Sequence, residues 1–177
     1  MSRLTSLQPD NATGQAAELF GAIKRVMGKV PNAYQVIGIA PEILAQALQH
    51  NATLAKSNLS KRELEAINLA VSETSGCDYC LAAHTLTGKM AGYTLEQTQA
   101  LRQGAYPEEA HIDALVKFVK TLVTTHGTLP EETVTQFRAA GFSDRQVVEV
   151  ISAVSAILFT NMINRVNDTL VDFPKVN

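Results

Sequence analysis

Several residue types are scarce in this chain of 177 residues: it has no tryptophan and two cysteines, and aromatic residues make up only 6%. Two cysteines are too few for the disulfide framework on which small secreted domains depend. The formal net charge of −2 offers no basis for binding nucleic acids or anionic membranes. No apolar run of bilayer-spanning length is evident, and residues 1–15 lack the apolar stretch of a signal peptide. We therefore expect a cytoplasmic protein without nucleic-acid or membrane partners.

What the sequence does contain is helical periodicity over almost its whole length. Hydrophobic residues make up 46% of the chain, enough for one domain over residues 1–177 to bury a core. Three segments begin with a capping box, in which Ser or Thr is followed three residues later by Glu or Gln. These boxes are Ser60 with Glu63, Thr94 with Gln97, and Ser143 with Gln146. We predict an all-α fold of eight or nine helices with short connections.

A faint internal repeat relates two parts of the chain. A shift of 83 residues aligns residues 59–80 with residues 142–163, and both segments enter a capping box and continue as an apolar helix rich in small residues. The alignment sets Cys77 opposite Thr160 and Cys80 opposite Ile163. So few matches also arise by chance, and the sequence leaves duplication of a two-helix unit open. In a duplicated fold, only the first copy would carry reactive side chains.

Both cysteines stand in "ETSGCDYCLAAHT", residues 73–85. On a helix, the offsets of three and seven residues place Cys77, Cys80 and His84 near one face. Gly76 suits a turn into that helix, and Cys77 would then lie in the first turn, where the helix dipole lowers a thiol pKa. Cysteines three residues apart on a helix are within disulfide reach, and His84 can exchange a proton with Cys80. A nucleophile, a resolving thiol and a base are what a thiol peroxidase or a disulfide oxidoreductase requires.

Three other interpretations of this segment stay open. The cysteines can be small core residues on an apolar helix face. Cys77, Cys80 and His84 can instead bind zinc, with Glu65 or Glu73 as the fourth ligand, although zinc sites usually add a second ligand pair that this chain lacks. His84 can also be a core histidine with a purely structural hydrogen bond.

The longer segment "ELEAINLAVSETSGCDYCLAAHT" resembles the core motif of the alkylhydroperoxidase AhpD-like proteins, within the carboxymuconolactone decarboxylase superfamily. The motif has a glutamate twelve residues before the first cysteine and a histidine after the second, here Glu65, Cys77, Cys80 and His84. It covers about residues 60–92, and a weaker likeness extends over most of the chain. The single domain is thus expected to be AhpD-like.

This resemblance implies an all-helical subunit that assembles into a homo-oligomer, a trimer or a hexamer. It implies reduction of a hydroperoxide through a Cys77–Cys80 disulfide, with Cys80 as the attacking thiol and Cys77 as the resolving thiol. Glu65 and His84 would form the proton relay. The best-studied members carry a second histidine just before the second cysteine, where this chain has Tyr79. Tyrosine donates a hydrogen bond but is no base near neutrality, so Tyr79 is an accessory candidate only.

The sequence has no nucleotide, flavin or haem motif, and no cofactor is expected for the hydroperoxide reaction. Electrons would arrive by thiol exchange with a dithiol or a thioredoxin-like reductant. Two other functions remain: a lyase like the decarboxylase branch, which needs a cation to hold a carboxylate, and a non-enzymatic oligomer that senses redox state or binds zinc. We interpret His50, His111 and His126 as structural or surface groups. Asn161, Asn164, Arg165 and Asn167 line either an interface or the pocket.

Overall fold

The computed structural model describes residues 2–174 of the chain, and within that range it has nine α-helices and no strand. A short 3-10 turn, Pro9–Asn11, precedes them. The helices are Gly14–Met27 (α1), Asn32–Ile37 (α2), Pro41–Leu54 (α3), Lys61–Thr74 (α4), Asp78–Met90 (α5), Leu95–Gln103 (α6), Ala110–Thr124 (α7), Glu131–Ala139 (α8) and Asp144–Asn167 (α9). The prediction of an all-α fold with eight or nine helices is confirmed.

The starts of α4, α6 and α9 are fixed by the capping boxes that the sequence indicates. In each, the Ser or Thr hydroxyl accepts from the backbone N–H three residues on, and the Glu or Gln side chain accepts from the cap's own N–H. At α4, the Ser60 N–H donates to Glu63 Oε2 at 2.6 Å. Each box satisfies two N–H groups that a helix start otherwise leaves unpaired.

Helix α4 is the centre of the main hydrophobic core. It packs against α5, α6, α7 and α9, so it has neighbours on most of its circumference. Its fully buried side chains are accordingly apolar or small: Ala66, Ile67, Leu69, Ala70, Val71 and Ser72. A second, smaller cluster joins α1 to α3, through Phe20, Ile23 and Leu44. Because α4 is held on so many sides, it is a rigid base for any side chain that it directs toward α5.

The repeat suggested by the sequence holds for one helix only. Both α4 and α9 begin at a capping box, but α4 ends at Thr74 whereas α9 continues for 24 residues. The first copy breaks at Gly76, whose φ of 63° leaves the helical region. The aligned residue of the second copy, Phe159, lies inside α9. The first copy is therefore a helix–turn–helix unit, whereas the second copy is a single continuous helix.

The expectation about membranes needs a correction at α9. Among residues 2–174, α9 is the one helix that is long and apolar enough to cross a membrane by length and composition. Two buried amides, Asn161 and Asn164, interrupt its apolar residues, and this interruption concealed the run in the sequence. Only 28% of its most apolar window is buried in the fold. One such helix is weak evidence for a membrane span, because core helices of soluble proteins pass the same test.

Candidate active site

The turn between α4 and α5 brings both cysteines to the start of α5. Gly76 supplies the left-handed turn, and Cys77 after it is the N-cap of α5. The Cys77 sulfur accepts a hydrogen bond from the backbone N–H of Cys80, with a distance of 3.4 Å between N and Sγ. Cys77 thus lies one position before the first turn of α5, whereas we predicted that it lies within that turn. As N-cap it still meets the unpaired N–H groups at the positive end of the helix dipole.

The two sulfur atoms lie side by side. Their Sγ–Sγ distance is 2.6 Å, and both cysteines are free thiols. Cys77 is 1% exposed and Cys80 2% exposed, so neither sulfur faces bulk solvent. A disulfide bond is about 2.0 Å long, so only a small approach of the two side chains is needed when an oxidant removes their electrons.

The pair is electrostatically asymmetric. The contact with the Cys80 sulfur and the hydrogen bond from the Cys80 backbone N–H lower the pKa of Cys77 against the effect of burial, and His84 adds a smaller contribution. The contact with Cys77, together with burial, raises the pKa of Cys80. Because the two sulfurs are in contact, they titrate as a pair. Cys77 ionises first, in line with its position at the helix start.

Glu65 of α4 and His84 of α5 are in direct contact. His84 Nδ1 lies 2.9 Å from Glu65 Oε2, and both side chains are partly buried. The sequence missed a third member, Thr87, whose hydroxyl donates to the same Glu65 oxygen at 2.7 Å. Thr87 follows His84 by three residues on α5, and that spacing is the signal that could have found it. Two donors fix the orientation of the Glu65 carboxylate.

The second ring nitrogen of His84 is the one left for proton exchange. Among the hydrogen bonds of residues 2–174, His84 uses Nδ1, and none joins its Nε2 to a partner. None joins His84 to either sulfur, although the imidazole is close enough to lower the pKa of Cys77. Transfer of a proton between His84 and a thiol therefore requires a water or a substrate oxygen between them.

Comparison with known proteins shows which family the central part of the chain resembles. The family model described as "Carboxymuconolactone decarboxylase family" matches residues 41–121, which include α3 to α6, most of α7 and the whole Glu65 to His84 motif. The fold agrees, because solved structures of AhpD-like proteins superpose on nearly the whole chain. Residues 41–121 are thus similar to the carboxymuconolactone decarboxylase family, and the fold of the whole chain is AhpD-like.

Three solved structures illustrate the likeness. A peroxidase-related protein with an alkylhydroperoxidase AhpD core, from Ralstonia eutropha JMP134, has a TM-score of 0.85 and 16% identity, over 97% of this chain and 92% of its own. A peroxidase-related protein from Silicibacter sp. TM1040 has a TM-score of 0.82 and 21% identity, over 96% and 94%. A cysteine-to-alanine variant of the debrominase Bmp8, in complex with 2,3,4-tribromopyrrole, has a TM-score of 0.80 and 17% identity, over 97% and 92%. No curated protein is significantly similar in sequence.

Tyr79 connects three parts of the chain. Its hydroxyl accepts from the backbone N–H of Ala33 at 3.1 Å and donates to Asp172 Oδ1 at 2.8 Å. Its ring meets Phe173 edge to face, with 5.5 Å between centroids. Burial, opposed by the Ala33 bond and reinforced by Asp172, raises the pKa of Tyr79 further above neutrality. Tyr79 thus ties α2 and the segment after α9 to α5, and its hydroxyl is already occupied.

Asn164 of α9 reaches the reactive sulfurs, a contact that the sequence left undecided. Its Nδ2 donates to Cys80 Sγ at 3.4 Å, and the side chain is 3% exposed. One helical turn earlier, Asn161 accepts from the Ser72 hydroxyl at 3.3 Å. Asn164 and Cys77 also line a cavity of about 170 Å³ at the start of α5, which is mostly polar. Its other lining residues are Gly76, Asp78, Tyr79, Arg165, Asp168 and Thr169.

The zinc alternative finds no ligand set among the described residues. Across residues 2–174, no group of three His, Cys, Asp or Glu side chains is placed to hold a metal ion. The two glutamates considered as fourth ligands have other partners: Glu65 bonds to His84, and Glu73 accepts from Arg102 Nε at 2.6 Å. The carboxylate nearest the motif therefore serves the histidine and not a cation.

Two further histidines have structural partners, as we predicted. His111 stacks on Phe142 with 3.9 Å between ring centroids and bonds to Glu63. His50 of α3 lies 2.7 Å from the Ser152 hydroxyl of α9. Both contacts join separate helices, and both lie outside the group formed by Glu65, the cysteines and His84.

Proposed function

We propose that this chain reduces hydroperoxides, with two electrons taken from Cys77 and Cys80. The observation that carries the proposal is the pair of free sulfurs 2.6 Å apart at the start of α5. Support comes from the lowered pKa of Cys77, because a thiol with a lowered pKa loses its proton more readily than an ordinary thiol. The Glu65–His84 contact supplies an oriented base beside the pair.

The reaction balances with one charge and one proton on the pair. When the proton moves from Cys80 to Cys77, the Cys80 thiolate attacks the terminal oxygen of the hydroperoxide, and the O–O bond breaks. Cys80 becomes a sulfenic acid, and the departing alkoxide takes the Cys77 proton to give the alcohol. The Cys77 thiolate then attacks Cys80 Sγ, which forms the disulfide and releases hydroxide. Both sulfurs are oxidised by one electron each, and the peroxide is reduced by two.

Glu65 and His84 handle the protons of this cycle. Glu65 accepts a hydrogen bond from the ring at Nδ1, which leaves Nε2 of His84 to exchange a proton through a bridging oxygen. In the first half of the cycle, Nε2 takes up the Cys77 proton and passes it to the alkoxide. In the second half, Nε2 passes a proton from solvent to the departing hydroxide, and the water that forms does not reverse disulfide formation.

The oxidised pair must be reduced again, and we assign this step to a dithiol or a thioredoxin-like partner. A cycle of this kind suits the reducing cytoplasm, where dithiols are regenerated. We also propose that the chain works as a homo-oligomer, a trimer or a hexamer. Support comes from the apolar side chains that α9 leaves largely exposed, Val148, Ile151, Met162 and Val166.

The experiment is mass spectrometry of the reduced protein after one equivalent of hydrogen peroxide or cumene hydroperoxide. The parent is expected to form the Cys77–Cys80 disulfide. Cys77→Ser is expected to stop at a Cys80 sulfenic acid, which dimedone traps, and Cys80→Ser is expected to stay reduced. Peroxide consumption by Cys80→Ser equal to that of the parent contradicts the proposal, and a dimedone adduct on Cys77 in that variant reverses the roles of the two cysteines.

Reductive dehalogenation is the second candidate, because the debrominase Bmp8 shares this fold. Replacement of a ring bromine by hydrogen also consumes two thiols and gives a disulfide and hydrogen bromide. The mainly polar lining of the cavity at Cys77 favours the hydroperoxide. Incubation of the reduced protein with 2,3,4-tribromopyrrole separates the two: release of bromide together with disulfide formation supports dehalogenation, and unchanged thiols exclude this substrate.

A further inference from the structure

The surroundings of the two sulfurs favour a negative charge on Cys77, whereas the attack needs it on Cys80. The Cys77 sulfur accepts a hydrogen bond from the Cys80 backbone N–H and stands at the N-cap of α5. Both favour the negative charge on Cys77 and leave Cys80 protonated, and a protonated thiol is a poor nucleophile. A donor to the Cys80 sulfur is therefore required to offset this preference.

Asn164 is that donor in the described residues. Its Nδ2 lies 3.4 Å from Cys80 Sγ, within hydrogen-bonding distance for sulfur, and its contact lowers the pKa of Cys80 against the other influences on that thiol. The side chain is almost fully buried and comes from α9, a different helix from the cysteines. The amide is thus held in place independently of α5, and little water competes for it.

The other end of the same amide has no partner. Oδ1 of Asn164 is buried and makes no hydrogen bond within residues 2–174. Such an acceptor costs about 1–3 kcal/mol when it stays unpaired, and it needs an explanation. Asn164 also lines the polar cavity that Cys77 shares, so a ligand in this cavity can reach the amide. A hydroperoxide has one O–H donor, on the oxygen that a thiolate attacks.

We propose that Asn164 is a catalytic residue that directs the shared negative charge onto Cys80 through Nδ2 and accepts the O–H of the hydroperoxide through Oδ1. One amide then holds the nucleophile and the attacked oxygen next to each other. This inference rests on the proposed hydroperoxide reduction and adds to it the residue that selects the attacking sulfur. Asn164 has this use because Cys77, as N-cap, otherwise retains the charge.

The test compares Asn164→Leu, which keeps the size and removes both polar atoms, with Asn161→Leu as the matched control. Asn161 lies one turn earlier on α9, is 1% exposed and bonds to Ser72 instead of a sulfur. Mass spectrometry measures the rate at which iodoacetamide alkylates each cysteine between acid and alkaline pH. In Asn164→Leu, the ratio of Cys80 to Cys77 alkylation at neutral pH is expected to fall by about tenfold or more, since bonds to charged groups are strong. In Asn161→Leu, the ratio is expected to stay at the parent value.

A second variant covers the case in which Asn164→Leu does not fold. Asn164→Asp keeps the shape but places a carboxylate at the sulfur, and the same fall in the Cys80 to Cys77 ratio is expected, with a rise in the pH at which Cys80 reacts. An unchanged ratio in a folded Asn164 variant overturns the proposal, as does an equal fall in Asn161→Leu. Alkylation does not depend on peroxide. If the parent ignores hydroperoxides but the ratio still falls in Asn164→Leu, the proposed function and the role of Oδ1 are refuted, and the role of Nδ2 stands.

Discussion

Helix α4 presents two glutamates, two residues apart, and each is hydrogen-bonded to a histidine from another helix. Glu65 Oε2 lies 2.9 Å from His84 Nδ1, and Glu63 Oε1 lies 2.9 Å from His111 Nε2. The distances are equal, and both pairs join α4 to a neighbouring helix. Only the surroundings distinguish the pair that we assign to catalysis from the pair that we assign to structure.

The Glu63–His111 pair is complete. His111 uses both ring nitrogens, since Nδ1 lies 2.9 Å from the Ala140 carbonyl oxygen, and its ring stacks on Phe142. Glu63 uses its other oxygen in the capping box with Ser60. With every polar atom of the pair engaged, no nitrogen is left to carry a proton elsewhere. The pair therefore fastens α4 to α7 and to the end of α8.

The Glu65–His84 pair is incomplete in one respect, because Nε2 of His84 has no hydrogen bond within the described residues. It is also close enough to the cysteine pair to lower the pKa of Cys77. A short Glu–His distance is therefore poor evidence for a proton relay by itself. A free ring nitrogen and a reactive neighbour are the features that distinguish a relay from a structural bond.

The largest expected effect comes from replacing His84 by asparagine, with the same replacement of His111 for comparison. His84→Asn removes the proton carrier, and we expect the rate of disulfide formation with hydrogen peroxide to fall by about a hundredfold or more. His111→Asn is expected to keep the parent rate. It should instead lower the free energy of unfolding by about 1–3 kcal/mol, because it removes a stacked ring and leaves a buried carboxylate oxygen unpaired. Stopped-flow kinetics and urea unfolding measure the two quantities.

The two variants are each other's control, since both replace a histidine bonded to a glutamate of α4. A comparable rate loss in both would show that the rate reports fold stability and not a relay. An unchanged rate in His84→Asn would remove His84 from the mechanism.

Much of this comparison was accessible from the sequence. The capping boxes predicted where α4, α6 and α9 begin, because the box is a local motif whose partners are three residues apart. The spacing of Glu65, Cys77, Cys80 and His84 was likewise readable, through the likeness to the AhpD-like motif. The glutamate-to-histidine contact needs only that α4 and α5 pack side by side across the turn at Gly76.

What the sequence left undecided depends on contacts between distant segments. Asn164 meets Cys80 across 84 residues of chain, and Asp172 meets Tyr79 across 93. Neither contact follows from periodicity. The hydrophobic pattern shows which face of a helix is buried, but it does not show which other segment packs against that face.

The second prediction concerns the replacement of each glutamate by glutamine. Glu65→Gln keeps the shape and removes the charge that orients His84, and we expect the rate of disulfide formation to fall roughly tenfold, the value of one charge-assisted hydrogen bond. Glu63→Gln is expected to keep the parent rate and to lower stability, because it weakens the bond to His111 and the capping box. Should Glu65→Gln match the parent rate while Glu63→Gln slows the reaction, the assignment of the two pairs is reversed.

The smallest effect is the pH dependence of stability that the structural pair confers. Burial disfavours the charged form of both groups, but for His111 the bonds to the Ala140 carbonyl and to Glu63 outweigh it and raise the pKa. For Glu63, the bonds to Ser60 and His111 outweigh burial and lower the pKa. The contribution of His111 is present below about pH 6.5, its unfolded pKa, and is lost as the pH rises through the folded value.

The contribution of Glu63 has the opposite direction: it is present above about pH 4.3 and is lost as the pH falls through the lower folded pKa. Both contributions are therefore present together between about pH 4.3 and 6.5. The His111 side chain is 37% exposed, so solvent screening keeps the effect below about 1 kcal/mol. Urea unfolding at mildly acid and mildly alkaline pH is expected to show that His111→Asn loses more stability at the acid value. An equal loss at both values would mean that the histidine is uncharged in the fold, and that stacking on Phe142 alone accounts for its place.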